Sequence, residues 1–203
     1  MSNQIQFYGD SISGNCYKLQ LVCPELGLDY VWHEMDILAR DTQTPNFLAL
    51  NPNGKVPLMI LEDGRVLPES NAILSYLADG TALAGSDRYA KANVLRWLFF
   101  EQYSHEPFIA TSRFITKYLN SPPERQADLD AKQPGGHKAL AVMEQQLSTL
   151  EFIANNEYSI ADIALYAYTH VAHEGGFNLD GYPSVRKWLK RVEDRPQYVP
   201  MRS

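Results

Sequence analysis

The stretch that decides the fold is residues 51–73, which read NPNGKVPLMILEDGRVLPESNAI. Its two apolar runs, at 57–61 and 65–67, lie on either side of a turn that ends in Gly64. Two such runs around a glycine turn predict a β-hairpin. Ser70 is then placed to cap a helix, because apolar residues follow it at helical spacing. The stretch therefore predicts a ββα unit.

The residues before it predict a βαβ unit. Residues 4–8 alternate polar and apolar side chains, as a strand does, and a short turn leads to a helix that begins at Ser13. Gly27 is a natural stop for this helix, and Pro24 predicts a kink or an earlier end. Residues 30–35 read as a second strand, parallel to the first. The first 80 residues thus form an α/β domain of order βαβ-ββα.

From about residue 87 to Ser203 the patterns are helical throughout, with 81–86 as the linker. Proline and glycine clusters at 121–123 and 134–136 predict breaks between helices. No strand pattern is convincing in this part of the chain. The sequence therefore predicts a second, all-α domain.

Ser159 and Asp162 form a capping-box-like pair at the start of one of these helices. The helix is predicted to run to about His173. Asp162 is best interpreted as structural, since its carboxylate reaches back to the Ser159 N–H.

Composition excludes several classes of partner. The formal charge of −6 and the pI of about 5.3 argue against non-specific binding to nucleic acid or to an anionic membrane. No run of about 18 apolar residues is present, and residues 1–4 lack the charged start and apolar stretch of a signal peptide. We expect a cytoplasmic protein with a small or apolar partner.

The two cysteines are expected to be free. Cys16 and Cys23 are seven residues apart in a predicted helix, which separates them by about 10 Å, beyond the reach of a disulfide. Free thiols agree with a reducing compartment.

Four motifs together resemble the cytosolic glutathione transferases, and the resemblance covers essentially the whole chain. They are residues 51–57, 67–73, 158–163 and 13–18, and the last is similar to the active-site loop of bacterial serine-type members. The resemblance implies a thioredoxin-like glutathione-binding domain at 1–80 and a helical-bundle domain at 87–203. It also implies a homodimer in which each thiol-binding domain packs on the partner's helical domain.

The helix start at Glu69 and Ser70 suits a carboxylate, because free N–H groups and the positive end of the helix dipole point outward there. By the resemblance this carboxylate belongs to the γ-glutamyl residue of glutathione, with Glu69 near its ammonium group. In the structural alternative, Ser70 is only a cap and Glu69 only an acid in the first turn.

Residues 55–57 are the second predicted contact with glutathione. The resemblance implies a cis peptide between Val56 and Pro57, with the Val56 backbone turned outward to pair with the cysteinyl residue of the ligand. Lys55 offers a cation to the glycyl carboxylate. In the alternative, Pro57 merely begins a strand and Lys55 is a solvated surface charge.

Ser13 is the leading candidate for the group that acts on the thiol. A free thiol has a pKa near 8.5, and a hydroxyl that donates a hydrogen bond to the sulfur increases the thiolate fraction at neutral pH. Three alternatives stay open, namely Ser11, Tyr8 and Asn15. Cys16 is predicted to be an inert core thiol, since a serine stands where a redox pair needs its first cysteine.

The resemblance places the pocket for a second, apolar substrate on the first helices of the bundle. An aromatic residue on a helix is more often part of the core than of a pocket. His170 and His173 are three residues apart, but no third ligand is indicated, so no metal is expected. The candidate pocket residues are Tyr103, His105, Phe108, Phe114 and Tyr118.

These features favour an enzyme that stabilises the glutathione thiolate and conjugates it to a small apolar electrophile, with glutathione as co-substrate and no other cofactor. A glutathione-dependent peroxidase or disulfide-bond reductase is the first alternative. A non-catalytic glutathione-binding or ligand-binding protein of the same fold is the second.

Overall fold

The predicted βαβ unit begins the chain. The computed structural model describes residues 4–202, and in it β1 spans Ile5–Gly9, α1 spans Gly14–Leu26 and β2 spans Tyr30–Glu34. β1 and β2 pair in parallel, which confirms the prediction. The first three residues, on which part of the signal-peptide prediction depends, lie outside the described residues.

The predicted hairpin is also present. β3 spans Leu58–Ile60 and β4 spans Val66–Pro68, and the two pair antiparallel around a turn in which Gly64 has a φ of 86°. Glycine adopts that left-handed conformation without a steric penalty. β3 also pairs antiparallel with β1, so the strand order is β2-β1-β3-β4. α3, Ser70–Ala78, follows β4 and completes the ββα unit.

The stretch between β2 and β3, which is polar in sequence, contains a short helix. α2 spans Pro45–Leu50 and follows a 3-10 turn at Asp41–Gln43. The Thr44 hydroxyl accepts a hydrogen bond from the Phe47 N–H at 3.4 Å. Pro45 occupies the first helical position, where its missing N–H has no cost. The sequence signal for this helix is Thr44 followed by Pro45, because a six-residue helix is too short to show the helical spacing of apolar residues.

The second part of the chain is helical, as the sequence predicts. Residues 80–196 form a separate compact unit, and no strand occurs among them. π-helical turns at Glu101–His105 and Phe114–Tyr118 lie on either side of its second α-helix. Within residues 4–202 no helix has both the length and the hydropathy that crossing a bilayer requires. The α-helices of this unit are α4 Arg88–Phe100, α5 Glu106–Arg113, α6 Gln126–Leu147, α7 Ile160–Thr169 and α8 Pro183–Glu193.

The end of the chain differs from the predicted domain division. The two units divide between Asp79 and Gly80, close to the predicted linker, but residues 197–202 group with the first unit. The Tyr17 hydroxyl donates a hydrogen bond to the Val199 carbonyl at 2.6 Å. The sequence does not predict that the end of the chain contacts the first unit, because one hydrogen bond between distant residues leaves no periodic pattern.

The break predicted at 134–136 is wrong, since α6 continues through it. The reason lies in the neighbours of the two glycines. A Cβ on Gly135 would lie 2.2 Å from Phe108 Cε1, and a Cβ on Gly136 would lie 2.2 Å from Phe177 Cε1. The glycines therefore let aromatic rings approach the helix backbone rather than ending the helix.

Asp162 organises the start of α7 from a fully buried position. The predicted capping box is present, with Asp162 Oδ2 accepting a hydrogen bond from the Ser159 N–H at 3.0 Å. Its Oδ1 accepts from the Ile153 N–H at 2.8 Å and from the Trp188 indole at 2.9 Å. Burial raises the pKa of Asp162 to about 6 despite these donors. One carboxylate thus joins the helix start, the loop before it and α8.

Two helix ends differ from their predictions. α7 ends at Thr169 rather than near His173, and a 3-10 turn at Ala172–Gly175 follows it. Two glycines at 175 and 176 disfavour a longer α-helix there. α1 does not end before Pro24 but continues to Leu26, because a proline in the last turn removes only one donor.

Gly136→Ala is expected to destabilise the fold. In an open helix this change adds up to about 1 kcal/mol of stability. Here the new methyl group would collide with the buried Phe177 ring, so urea denaturation should show a free energy of unfolding lower by roughly 1–3 kcal/mol. Gly181→Ala is the control, since no atom lies within 4 Å of its Cβ position. A Gly136→Ala variant as stable as the control would contradict the close packing.

Candidate functional site

The sheet brings two helix N-termini to the same edge. β1 and β4 are each linked to β3 by antiparallel pairing, so they run in the same direction. α1 follows β1 and α3 follows β4, which means that both helices begin at the edge where those strands end. Each N-terminus carries unsatisfied N–H groups and a partial positive charge. This edge contains most of the predicted site residues.

Ser13 is the N-cap residue of α1 and is half-buried. Its N–H donates to the Asp10 carbonyl at 3.0 Å, and its side chain makes no capping hydrogen bond to the helix. The hydroxyl instead contacts the Cys16 thiol. Ser13 therefore stands at the start of α1 with a hydroxyl that caps none of the helix N–H groups.

The loop that carries Ser11 is fixed by two carboxylates. The Ser11 N–H donates to Glu34 Oε1 at 2.8 Å, and the Ile12 N–H donates to Asp10 Oδ1 at 3.0 Å. Glu34 Oε2 accepts from the Trp32 indole at 2.7 Å, so the loop is tied to β2. Sequence reasoning missed Glu34, although the end of a strand parallel to β1 is where such a contact is expected.

Tyr8 and Asn15, which compete with Ser13 for the role at the thiol, lie in different environments. The Tyr8 ring stacks on His33 of β2, with centroids 4.4 Å apart, in the middle of the sheet. Asn15 lies in the first turn of α1, where its Oδ1 accepts a hydrogen bond from the Ser70 hydroxyl at 3.1 Å. The structure thus joins a residue from the thiol end of the predicted site to one from the carboxylate end.

Ser70 does not cap α3, so that part of the prediction is wrong. Glu69 is the N-cap residue and Ser70 is the first residue of the helix. Glu69 is exposed, and its side chain makes no capping hydrogen bond. Its φ of 74° lies in the left-handed region, which is costly for a residue other than glycine. Glu69 therefore provides no side-chain cap for the first-turn N–H groups of α3.

Lys18 is a residue of this site that sequence reasoning missed. Its side chain is fully buried, and Nζ donates to Ser70 Oγ at 3.2 Å and to Asn71 Oδ1 at 3.0 Å. The available signal was its position three residues after Asn15, on the same face of α1. A lysine within an apolar helix is otherwise interpreted as a surface charge.

The predicted contact at 55–57 has the expected backbone. The Val56–Pro57 peptide is cis, as the resemblance implies, and Val56 is half-buried while Lys55 is exposed. The Asn51 amide donates to the Lys55 carbonyl at 2.8 Å. Gly54 has a φ of 63°, and any Cβ there would lie 2.5 Å from the Gln43 amide nitrogen. The turn before Val56 therefore requires glycine.

The cysteines are free and buried, as predicted. Burial raises the pKa of Cys16 to about 12, although contacts with the Ser13 side chain and the Asp10 backbone act in the opposite direction. Burial also raises the pKa of Cys23 to about 12. Neither thiol is a nucleophile at neutral pH.

Two of the predicted pocket residues line one cavity in the helical unit. Tyr103 and Phe108 contribute to a cavity of about 480 Å³ between the π-helical turn at 101–105, α5 and α6. Its other lining residues are Phe100, Ser104, Pro107, Gly135, Lys138, Ala139 and Val142.

The other three predicted pocket residues lie elsewhere. His105 is buried, and its Nε2 lies 2.9 Å from the Thr169 hydroxyl, so it belongs to the core. Phe114 and Tyr118 stack on each other, with centroids 5.2 Å apart, and do not line this cavity. Residue spacing did not distinguish pocket residues from core residues, because it does not show which face of a helix packs against a neighbouring helix.

The two histidines near the end of α7 are in unlike surroundings. His170 stacks on Tyr166, and its Nδ1 lies 2.9 Å from the Tyr166 carbonyl. Burial lowers the pKa of His170 to about 4. His173 is exposed. In the part of the chain that the structure describes, no group of three or more metal-binding side chains is found.

Both parts of the chain match known proteins. Residues 12–80 match the family "Glutathione S-transferase, N-terminal domain", and residues 93–196 match "Glutathione S-transferase, C-terminal domain". A crystal structure of a glutathione S-transferase from Pseudomonas fluorescens Pf-5 is 54% identical, with a TM-score of 0.95 and 98% of each chain covered. The structure of Ure2p in complex with glutathione is 25% identical, with a TM-score of 0.84, and the match covers 96% of this chain and 91% of the chain in that structure. The disulfide-bond oxidoreductase YfcG of Escherichia coli K12 is 28% identical over 90% of this chain and 87% of its own length.

Both thiols should resist modification in the folded protein. With a pKa of about 12, only roughly one thiol in 10⁴ is ionised at pH 8, and burial blocks access to it. Titration with a chromogenic disulfide reagent should detect almost no thiol until guanidinium is added, and two per chain afterwards. Rapid modification of either cysteine in the folded protein would contradict the inert role.

Proposed function

The chain belongs to the glutathione S-transferase family, and from this premise we propose that its first unit binds glutathione along the sheet edge where α1 and α3 begin. The proposal has the enzyme stabilise the glutathione thiolate, which then attacks a small apolar electrophile. The observation that carries it is the start of α3, where Glu69 has a left-handed backbone and its side chain makes no capping hydrogen bond.

In this proposal the γ-glutamyl carboxylate of glutathione binds the first turn of α3. The partial positive charge of the helix start favours an anion, and the first N–H groups provide its hydrogen bonds. Ser70 adds a hydroxyl, and the exposed Glu69 carboxylate is available to the ligand's ammonium group. The backbone of Val56 pairs with the cysteinyl residue, and Lys55 attracts the glycyl carboxylate.

At the other end, Ser13 donates a hydrogen bond to the sulfur. The thiol proton leaves to solvent, and the hydroxyl together with the α1 dipole stabilises the resulting thiolate. The sulfur electron pair then forms a bond to the electrophilic carbon. In substitution the leaving group departs with its bonding electron pair, and in addition the π electron pair moves onto the electrophile, which takes a proton from solvent. Substitution or addition therefore needs no redox partner and no metal.

We assign the electrophile to the helical unit. Tyr103 and Phe108 offer aromatic surface in the cavity described above, while Lys138 adds a cation to its lining. An apolar cavity with few polar groups is the usual form of a small-molecule site. Aromatic electrophiles are the compounds to assay first.

Disulfide reduction is a second candidate, which the similarity to YfcG favours. Ser13 replaces the first thiol of a redox pair, and Cys16 is buried, so this reaction would draw both thiols from glutathione. A panel of electrophiles, hydroperoxides and mixed disulfides separates this activity from transfer. Retention on immobilised glutathione without turnover would indicate a binding protein instead.

We also propose a cytoplasmic homodimer. Leu95 and Phe99 lie one turn apart on α4 with exposed side chains, and 70% of Phe99 is accessible. Adjacent exposed apolar side chains on one helix face favour burial against another chain. The two free cysteines agree with a reducing compartment.

Ser13→Ala should reduce transferase activity by lowering the stability of the thiolate. Loss of one donor to a developing anion reduces kcat/KM on the order of 10²-fold, and the pKa of the bound thiol should rise. The pH dependence of kcat/KM with several electrophiles measures both effects. Ser11→Ala tests the competing candidate on the same loop and should change neither value. Full turnover by Ser13→Ala would exclude the thiolate role.

Phe99→Glu should shift the protein from dimer to monomer, because a charge replaces an apolar side chain in the proposed interface. Sedimentation velocity of the wild type and the variant measures the change. Val142→Glu is the control, since Val142 is an exposed apolar residue of α6. A monomeric wild type, or an equal effect of both variants, would contradict this interface.

A further inference from the structure

Lys18 places an ammonium group in the interior of the first unit. None of its side chain is exposed, and burial of a charge is unfavourable unless hydrogen bonds compensate for the lost water. Two of its hydrogen bonds go to the first two residues of α3, at 3.2 Å to Ser70 Oγ and 3.0 Å to Asn71 Oδ1. A lysine of α1 is thus bound directly to the helix start where the carboxylate is proposed to bind.

The direction of these hydrogen bonds is set by chemistry. An ammonium group only donates, so Ser70 Oγ must accept from Lys18. The Ser70 proton is therefore directed away from Lys18, and it points to Asn15 Oδ1 at 3.1 Å. The contacts form a chain in which Lys18 donates to Ser70 and Ser70 donates to Asn15.

We infer that Lys18 is a positioning residue for the γ-glutamyl carboxylate of glutathione, because it holds Ser70 as a hydrogen-bond donor at the start of α3. This inference rests on the proposed function and extends it to a residue that does not touch the ligand. When the carboxylate binds, the Ser70 proton turns from Asn15 to the ligand while Lys18 keeps the oxygen in place. The ammonium charge adds to the positive end of α3 and strengthens the attraction.

The decisive experiment compares two ligands on two variants. Glutathione is one ligand, and 4-aminobutyryl-cysteinyl-glycine is the other; it lacks only the carboxylate of the γ-glutamyl residue. Lys18→Met removes the charge and the donors with little change in length. Calorimetry should show glutathione bound roughly ten- to a hundredfold more weakly, while the affinity for the analogue changes little. The KM for glutathione should rise, with kcat at saturation nearly unchanged.

Asn71→Asp tests the same idea without removing Lys18. The new carboxylate keeps the hydrogen bond to Lys18 and is favourable in the first turn of a helix, so thermal unfolding should show a fold at least as stable as the wild type. It also neutralises the ammonium beside the ligand carboxylate. Glutathione affinity should fall, again with little change for the analogue. Lys91→Met, an exposed lysine of α4, is the control.

The ratio of the two affinities decides the outcome. A glutathione-to-analogue ratio that falls toward one in both variants supports the positioning role. If both ligands lost the same factor, Lys18 would be merely structural, and the inference would be overturned. Unchanged affinities in Lys18→Met would overturn it as well. If the wild type bound neither ligand, the proposed function itself would fail, and the inference with it.

Discussion

An ammonium group without contact to water must be surrounded by hydrogen-bond acceptors, and for Lys18 two of these belong to the start of a second helix. The contact fixes α1 against α3 near their N-termini. It is possible only because β1 and β4 run in the same direction, so that both helices begin at one edge of the sheet. The shared direction of β1 and β4 thus brings both helix N-termini to the candidate site. The buried Lys18 ammonium group then fixes how α1 and α3 lie against each other there.

The backbone at Glu69 shows how this edge differs from ordinary helix starts. A serine or aspartate cap would satisfy the first N–H groups from within the chain, as Thr44 does for α2 and Ser159 for α7. At α3 the N-cap residue has a costly left-handed conformation and offers no capping side chain. The left-handed backbone distinguishes α3, since no other α-helix N-cap residue within residues 4–202 has it, whereas α1, α5, α6 and α8 also lack a side-chain cap.

Local patterns in the sequence predict most of the fold. Strand alternation, the glycine turn at Gly64 and the capping box at Ser159 depend on neighbouring residues, so a single sequence contains their full signal. The failures at 134–136 and at Ser70 have a different origin. Gly135 and Gly136 pack against the rings of Phe108 and Phe177, which are 27 and 41 positions away in the sequence. Patterns among neighbouring residues do not predict such contacts. Ser70 was predicted to be the N-cap residue because the sequence does not reveal the strained backbone conformation of Glu69. Lys18 was missed for the same reason, since its partners come from another helix.

The relation between Ser13 and Cys16 limits the chemistry available to this edge. A thioredoxin-like redox site needs two thiols, of which one is accessible and easily ionised. Here the first position is a serine, and the second is a thiol whose pKa burial raises to about 12. At neutral pH that thiol stays protonated and serves as a neighbour of the Ser13 hydroxyl. In the proposed function the reactive sulfur accordingly comes from glutathione, since burial keeps the Cys16 thiol protonated at neutral pH. The proposal likewise treats the Ser13 hydroxyl as a hydrogen-bond donor to that sulfur rather than as a nucleophile, because a serine nucleophile needs an adjacent base, and the described contacts of Ser13 are the Asp10 carbonyl and the Cys16 thiol.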